Sequence, residues 1–391
     1  MIGQKPMKKN FENLKKIGKC RYFWPIFGLL FLLIIFFFTD VGFIFSKNLS
    51  FKQGGQLSPV VQKVADPIVV ATLPPLDTVL YDQKMEELAN NPVPKVVPPK
   101  IDPKTGQPIP VPVTPPKPNL WPVKAVYPNA GAILPFKRVV AYYGNLYSKK
   151  MGALGEYPEA EMLVKLNKEV KEWELADPAT PVVPALHYVA VTAQGTPSDG
   201  GKYISHMPFK EIDKILKMAE KNNAIVFLDI QVGFSNVQTE LPLLEKYLKM
   251  PQVHLGIDPE FSMKGDKRPG KVVGTFDADD INFTAEYLAK IVRDNNLTPK
   301  ILVVHRYIQK MVTNYQEIKP LPEVQIVMDM DGWGSKDKKL TTYRQFIQKE
   351  PVQFTGFKIF YKNDVWEKGT VLFTPKELLK LNPRPIYIQY Q

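Results

Sequence analysis

The stretch His254-Leu255-Gly256-Ile257-Asp258-Pro259-Glu260-Phe261 ends an apolar run with two carboxylates two residues apart. At strand period, Leu255 and Ile257 point to one side and His254, Gly256, Asp258 and Glu260 to the other. A carboxylate pair on one face can divide the work of a general acid and of a base or charge stabiliser. Other runs repeat the pattern. In Val226–Val232, Phe227, Asp229 and Gln231 share the face opposite the aliphatics; in Ile326–Asp331, Asp329 and Asp331 do so, with Trp333 following. Lys358 is the polar residue in Phe357–Tyr361, and Tyr387, Gln389 and Gln391 alternate in the last run. A further run ends in His305, and the first ends in Tyr142, Tyr143 and Asn145.

These residues make one candidate site if the runs are neighbouring parallel strands. Glu260, Asp258, Asp229 and Asp331 are the catalytic candidates. Asp329, Lys358, His305, Gln231, Gln389, Tyr142, Tyr143 and Trp333 are the ligand-binding candidates, the aromatics read equally as platforms for a sugar ring or as rim packing. Burying so many carboxylates costs several kcal/mol unless they are paired or hydrogen-bonded. The competing reading is therefore a buried network, with Lys358 paired to Asp329 or Asp258. His187 reads as a packed core histidine, His206 as a solvated loop residue and His254 as structural, near the start of its strand. Asp229, Asp258 and His305 could form a metal set, but no close-spaced ligand motif supports one. The reading therefore assigns no metal and no cofactor.

The elements that must position these side chains are legible in the periodicity. Eight strand-like runs cover residues 138–145, 182–194, 224–233, 252–261, 300–307, 324–333, 354–361 and 385–391. Helical patterns lie at 158–176, 208–222, 236–249, 278–296, 306–318, 340–349 and 375–381. Alternating strands and helices argue for a parallel sheet, and eight strands over residues 126–391 fit a (β/α)8 TIM barrel. A doubly wound open sheet is the alternative, but no Gly-rich dinucleotide turn accompanies it. The chain runs out in the eighth strand without the usual last helix. A helix over 77–90, N-capped by Asp77, or residues 126–137, would fill that gap.

Upstream, residues 22–39 carry no charge, and apolar character resumes after Asp40. A helix over 22–45 is long enough to cross a bilayer. The 1–21 tail holds seven basic residues against Glu12, which places it in the cytoplasm by the positive-inside rule. The barrel is then extracytoplasmic on a single-pass anchor. A cleaved signal peptide is the alternative, though no small-x-small site is evident. Residues 46–125 read as a linker containing the 77–90 helix and a Pro-rich stretch, 92–122, in extended polyproline conformation. The single cysteine, Cys20, precedes the apolar run, so the outer part has no disulfide. The formal charge of +12 lies partly in the tail and suits an anionic envelope polymer. No Arg/aromatic cluster suggests nucleic acid.

Residues 138–391 resemble the glycoside-hydrolase-like TIM barrels, and more closely an uncharacterised bacterial family of membrane-anchored or secreted barrels. The likeness is carried by Val140-Ala141-Tyr142-Tyr143-Gly144-Asn145, Pro181-Val182-Val183-Pro184-Ala185-Leu186, Gly256-Ile257-Asp258-Pro259-Glu260, Val327-Met328-Asp329-Met330-Asp331-Gly332 and Gly356-Phe357-Lys358. It implies hydrolysis of a glycosidic bond between two carboxylates, with Glu260 at the usual acid position; the residues themselves offer Asp331 or Asp229 as its partner. The partner molecule would be a glycan or cell-envelope polymer. The chain departs from the large retaining clan, with Pro259 where Asn precedes the acid and Lys358 where a second Glu is usual. Two other classes stay open: a non-catalytic glycan-binding or envelope-organising module, and a lyase with Lys358 as Schiff-base nucleophile.

Overall fold

The computed structural model describes residues 73–93, 107 and 118–391. The expected tail, the 22–45 anchor and most of the Pro-rich stretch lie outside the described residues. Among the described residues, no helix is long and apolar enough to cross a membrane.

Eight parallel strands form the core: β1 Arg138–Gly144, β2 Val182–Ala193, β3 Ile225–Ile230, β4 Val253–Ile257, β5 Lys300–Arg306, β6 Val324–Met330, β7 Phe354–Ile359 and β8 Tyr387–Tyr390. Each pairs with the next, and β8 pairs with β1 (Val140 opposite Ile388), so the sheet closes. All eight expected runs became strands of a closed barrel, as the (β/α)8 reading requires. A closed sheet has no exposed edge, which removes the open-sheet alternative.

Alternation fixes what faces where. Leu186, Leu228, Ile230, Leu255, Ile257, Leu302, Val304 and Ile326 point outward into the layer beneath the helices. That layer is completed by α2 Glu159–Ala176, α3 Phe209–Glu220, α4 Ala278–Asp294 and α5 Lys336–Tyr343. In α3, Ile212, Ile215, Met218 and Ala219 form the buried stripe. Asp277 N-caps α4 in a capping box with Asp280. The 236–249 pattern is realised as two short α-helical turns around a 3₁₀ turn, because Pro242 lacks a donor there.

One expected helix, 306–318, does not form. The β-branched pair Val312-Thr313 instead makes a two-residue strand beside Phe276–Asp277, and Asn314 is left-handed (φ 55°). The Asp277 carboxylate accepts from Thr313 Oγ1 (2.5 Å) and Asn314 Nδ2 (2.8 Å), which holds the segment out of helix.

The two gap-filling candidates also sit elsewhere. Helix α1, Thr78–Ala89, and residues 133–136 close the bottom of the barrel. Tyr81, Met85 and Leu134 pack against Val139, Phe227, Ile301, Phe354 and Ile386. Gln325 reaches down to tie them, accepting from Ile133 and Leu134 N (both 3.1 Å) and donating to Leu134 O (2.6 Å). The outer face of β8 is covered by α2, whose Trp173 Nε1 donates to the Tyr390 hydroxyl at 3.0 Å. The two ends of the Pro-rich stretch meet under the barrel, where Asn91 Nδ2 donates to Trp121 O at 2.7 Å.

Candidate active site

The inward polar residues fall into two tiers at the C-terminal end of the barrel, where side chains of this fold converge on a ligand. The upper tier lines a cavity of about 550 Å³. Gln231 follows β3, Asp258 and Glu260 follow β4, Asp331 follows β6, and Lys358 lies in β7; all five face this cavity. Tyr143, Tyr307, Trp333 and Phe360 supply aromatic walls, and Trp333 is 56% exposed at the rim.

The lower tier is fully buried: His187, Asp229, His305, Asp329 and Gln389. None of these is part of the cavity wall. The sequence grouped both tiers in one site, but strand depth separates them. Tyr142 belongs to neither. It alternates outward, packs edge-on to Tyr361, and bonds that residue's hydroxyl at 3.0 Å. The platform role expected for Tyr142 is therefore incorrect. His187, read as a packed core residue, lies in the middle of the lower tier.

Backbone and side-chain partners hold Asp258 and Asp331. Asp258 caps the 3₁₀ turn Pro259–Phe261 through its Oδ1, accepting from Glu260 N at 3.0 Å, and its Oδ2 accepts from Gln231 Nε2 at 3.2 Å. That turn swings Glu260 over the cavity. Lys358 pairs with Asp331 (2.9 Å) rather than with Asp329 or Asp258, and its ammonium lies 3.9 Å from the Tyr143 ring centroid. Two glycines leave room below. A Cβ on Gly356 would fall 2.5 Å from Asp329 Oδ1, and one on Gly256 would fall 2.4 Å from His187 Nε2 and 2.5 Å from Asp229 Oδ1.

The loop carrying Asp331 and the end of β7 carrying Lys358 are clamped by a residue the sequence reading passed over. Lys339, on α5, is buried and donates to Gly332 O and Lys358 O, both at 2.8 Å, while pairing with Asp364 at 2.8 Å. Asp364 in turn accepts from Gly334 N and Phe360 N, both at 2.9 Å. A Lys at a helical, nominally solvent-facing position gives no sequence signal of such a role. Arg306 fixes the next loop in the same manner, through Glu350 (2.5 Å), Phe346 O (3.1 Å) and Val312 O (3.2 Å).

The electrostatics set the acids apart. Burial, aided by the Asp331 charge, raises the Glu260 pKa, against opposing hydrogen bonding from Tyr307 and the charge of Lys358. Burial raises Asp258 well above the carboxylate range, and the charges of Glu260, Asp229 and Asp331 add to it. Asp331 is also desolvated, yet Lys358 and then His305 hold it below its ordinary value. In the lower tier burial pushes His187 down to about 4, while His305 is held well above the usual imidazole value by Asp229, Asp329 and Asp331 despite its burial. The cavity thus sets a carboxyl whose pKa is raised beside a carboxylate whose pKa is lowered. That is the division of labour acid–base hydrolysis requires.

No protein-family model and no curated protein matches the chain. Among solved structures it is similar to the endoglucanase Cel5A of Thermotoga maritima, with a TM-score of 0.35 and 11% identity over 66% of this chain and 89% of that one. The same enzyme in complex with cellobiose gives 0.35 and 11% over 66% and 90%. A ruminal GH26 endo-beta-1,4-mannanase gives 0.32 and 9% over 65% and 58%. At these identities no residue role transfers to this chain.

Proposed function

We propose that the chain is a carbohydrate-active barrel that hydrolyses a glycosidic bond in the cavity above β4, β6 and β7. The observation that carries the reading is the placement of Glu260, whose pKa burial raises, with ion-paired Asp331 in one aromatic-walled cavity. Glu260 protonates the leaving oxygen. Asp331 activates water or stabilises the oxocarbenium-like charge. Asp229, the other partner considered, is bonded to Tyr143 (3.0 Å) in the lower tier, so Asp331 is the better placed. Gln231 and Asp258 orient hydroxyls, and Trp333 stacks on a ring at the rim. Lys358 is engaged with Asp331, whereas a Schiff-base nucleophile needs a free neutral amine.

In this reading the substrate is a cell-envelope or environmental glycan. Residues 22–45 anchor the barrel on the outer side of the membrane, with the basic tail in the cytoplasm.

The test is a product screen of the purified full-length chain against envelope oligosaccharides, with Glu260→Gln alongside. Products from the parent and ligand binding without turnover in the variant are expected. Turnover retained by Glu260→Gln would remove the acid assignment. Binding by both proteins with no product from either would make the domain a glycan-binding module.

A further inference from the structure

Beneath the cavity, three side-chain atoms converge without a hydrogen-bond partner among the described residues: His187 Nε2, His305 Nε2 and Asp229 Oδ1, each on a side chain with no solvent exposure. They come from β2, β5 and β3 and lie within 4.8 Å of one another. His187 Nε2 is 3.5 Å and His305 Nε2 is 3.6 Å from Asp229 Oδ1. These are poor hydrogen-bond distances. Ligands at about 2.0–2.1 Å from a tetrahedral zinc ion, by contrast, lie roughly 3.3–3.4 Å apart.

The remaining atoms of the same side chains face polar neighbours, as the second ring nitrogens of metal-ligating histidines do. His187 Nδ1 lies 2.6 Å from the Tyr387 hydroxyl and 3.1 Å from Gln389 Nε2; a metal on Nε2 would select the Nδ1–H tautomer, which donates to the Tyr387 oxygen and leaves the Nε2 lone pair facing Asp229. His305 Nδ1 faces Asp329 Oδ2 (3.4 Å) and Asp331 Oδ2 (3.3 Å), contacts too long for good hydrogen bonds, so its Nε2 is turned toward Asp229, where a bound cation would replace the second proton that the surrounding carboxylates favour on this ring. Asp229 Oδ2 is taken by the Tyr143 hydroxyl at 3.0 Å, so Oδ1 alone is left. Gly256 keeps this spot clear, since a Cβ would fall within 2.5 Å of both His187 Nε2 and Asp229 Oδ1.

We propose that His187, Asp229 and His305 bind a divalent transition-metal ion of the zinc class, with Tyr387, Asp329 and Asp331 orienting the two imidazoles. The donor set differs from the Asp229, Asp258 and His305 set weighed from the sequence. Asp258 is occupied by Gln231 and the Glu260 amide, and His187 takes its place. Two imidazoles and one carboxylate suit zinc, cobalt(II) and iron(II) over calcium or magnesium, which prefer all-oxygen sites.

The test is metal binding, independent of any activity. The purified full-length chain is stripped with a chelator, incubated with Zn²⁺ or Co²⁺, desalted and assayed for bound metal, for visible Co²⁺ absorption and for thermal midpoint. Stoichiometric metal, cobalt d–d bands and a raised midpoint are expected. X-ray absorption of the zinc form should show a nitrogen and oxygen shell with no sulfur, which separates this site from one at Cys20. His187→Gln should lose the ion, and Tyr387→Phe should weaken binding by ~10–100-fold, as loss of an orienting partner does. A parent chain that retains no metal, or a sulfur-containing shell, would overturn the proposal. So would a folded His187→Gln chain with undiminished binding. None of these results would bear on whether Glu260 hydrolyses a glycan.

Discussion

Glu260 and Lys358 bear on one another across the cavity, and their coupling makes the acid assignment testable by pH. A general acid must be protonated, so turnover is full below the raised Glu260 pKa and is lost as pH rises through it. Lys358 is one of the groups holding that pKa down. Lys358→Met should therefore move the alkaline limb of the pH–rate profile upward while lowering the rate through the unpaired Asp331; an unmoved limb would exclude Glu260 as the titrating acid. Stability carries the opposite signature. Because the folded pKa of Glu260 lies above its unfolded value, its contribution is fully present below the unfolded pKa and declines as pH rises toward the folded one. Glu260→Gln should accordingly melt above the parent at neutral pH, with the difference vanishing in acid. A lower midpoint at neutral pH would contradict the desolvated position given to this carboxyl.

At the scale of elements, the site depends on pieces far from it in sequence. Helix α1 closes the barrel floor through Tyr81 and Met85, both buried, so Met85→Ala should cost about 2–5 kcal/mol in denaturant unfolding. A chain beginning at residue 126 should likewise melt below the full chain. Equal midpoints for the two would show that the floor contributes nothing. Lys339 on α5 joins the β6 and β7 loops, and Lys339→Met would leave Asp364 buried and unpaired. A loss of about 3–5 kcal/mol is expected, together with displaced Trp333 fluorescence. A stability change within error would mean that the clamp is dispensable. The short strand Ile204–His206 is pinned to the turn Val237–Glu240 by the His206–Glu240 pair at 2.6 Å. His206 is half exposed, so the pair is a modest, solvent-screened contact.

For the whole molecule, closure is the central fact. β8 is only four residues long, yet it joins β7 to β1 and carries Tyr387 and Gln389 into the lower tier. Removing residues 385–391 should open the sheet along both edges, expose the inward layer and abolish cooperative near-UV circular dichroism. A cooperative transition in the shortened chain would show that the seven remaining strands suffice. The same closure explains why the polar residues are tolerated. Each sits on a strand whose outward face is buried aliphatic, so the barrel is held by its outer layer and floor while its upper end carries charge.

Parity along each strand was readable from the chain alone. Alternation in Val226–Val232 and Ile326–Asp331 assigned Asp229, Gln231, Asp329 and Asp331 to the inner face, and periodicity located all eight strands, because side-chain direction in a strand is a local property. Depth along the barrel axis was not readable. It depends on the stagger between neighbouring strands, which is a property of the closed sheet. That is why Asp229 and His305 were grouped with Glu260 although they lie a tier below, and why His187 was passed over. Tyr142 was misplaced for a simpler reason: adjacent residues of a strand face opposite ways, so it could not share the cavity with Tyr143. The position of α1 under the floor, the Lys339 clamp and the convergence of His187, Asp229 and His305 join residues distant in sequence, and only the folded barrel brings them together.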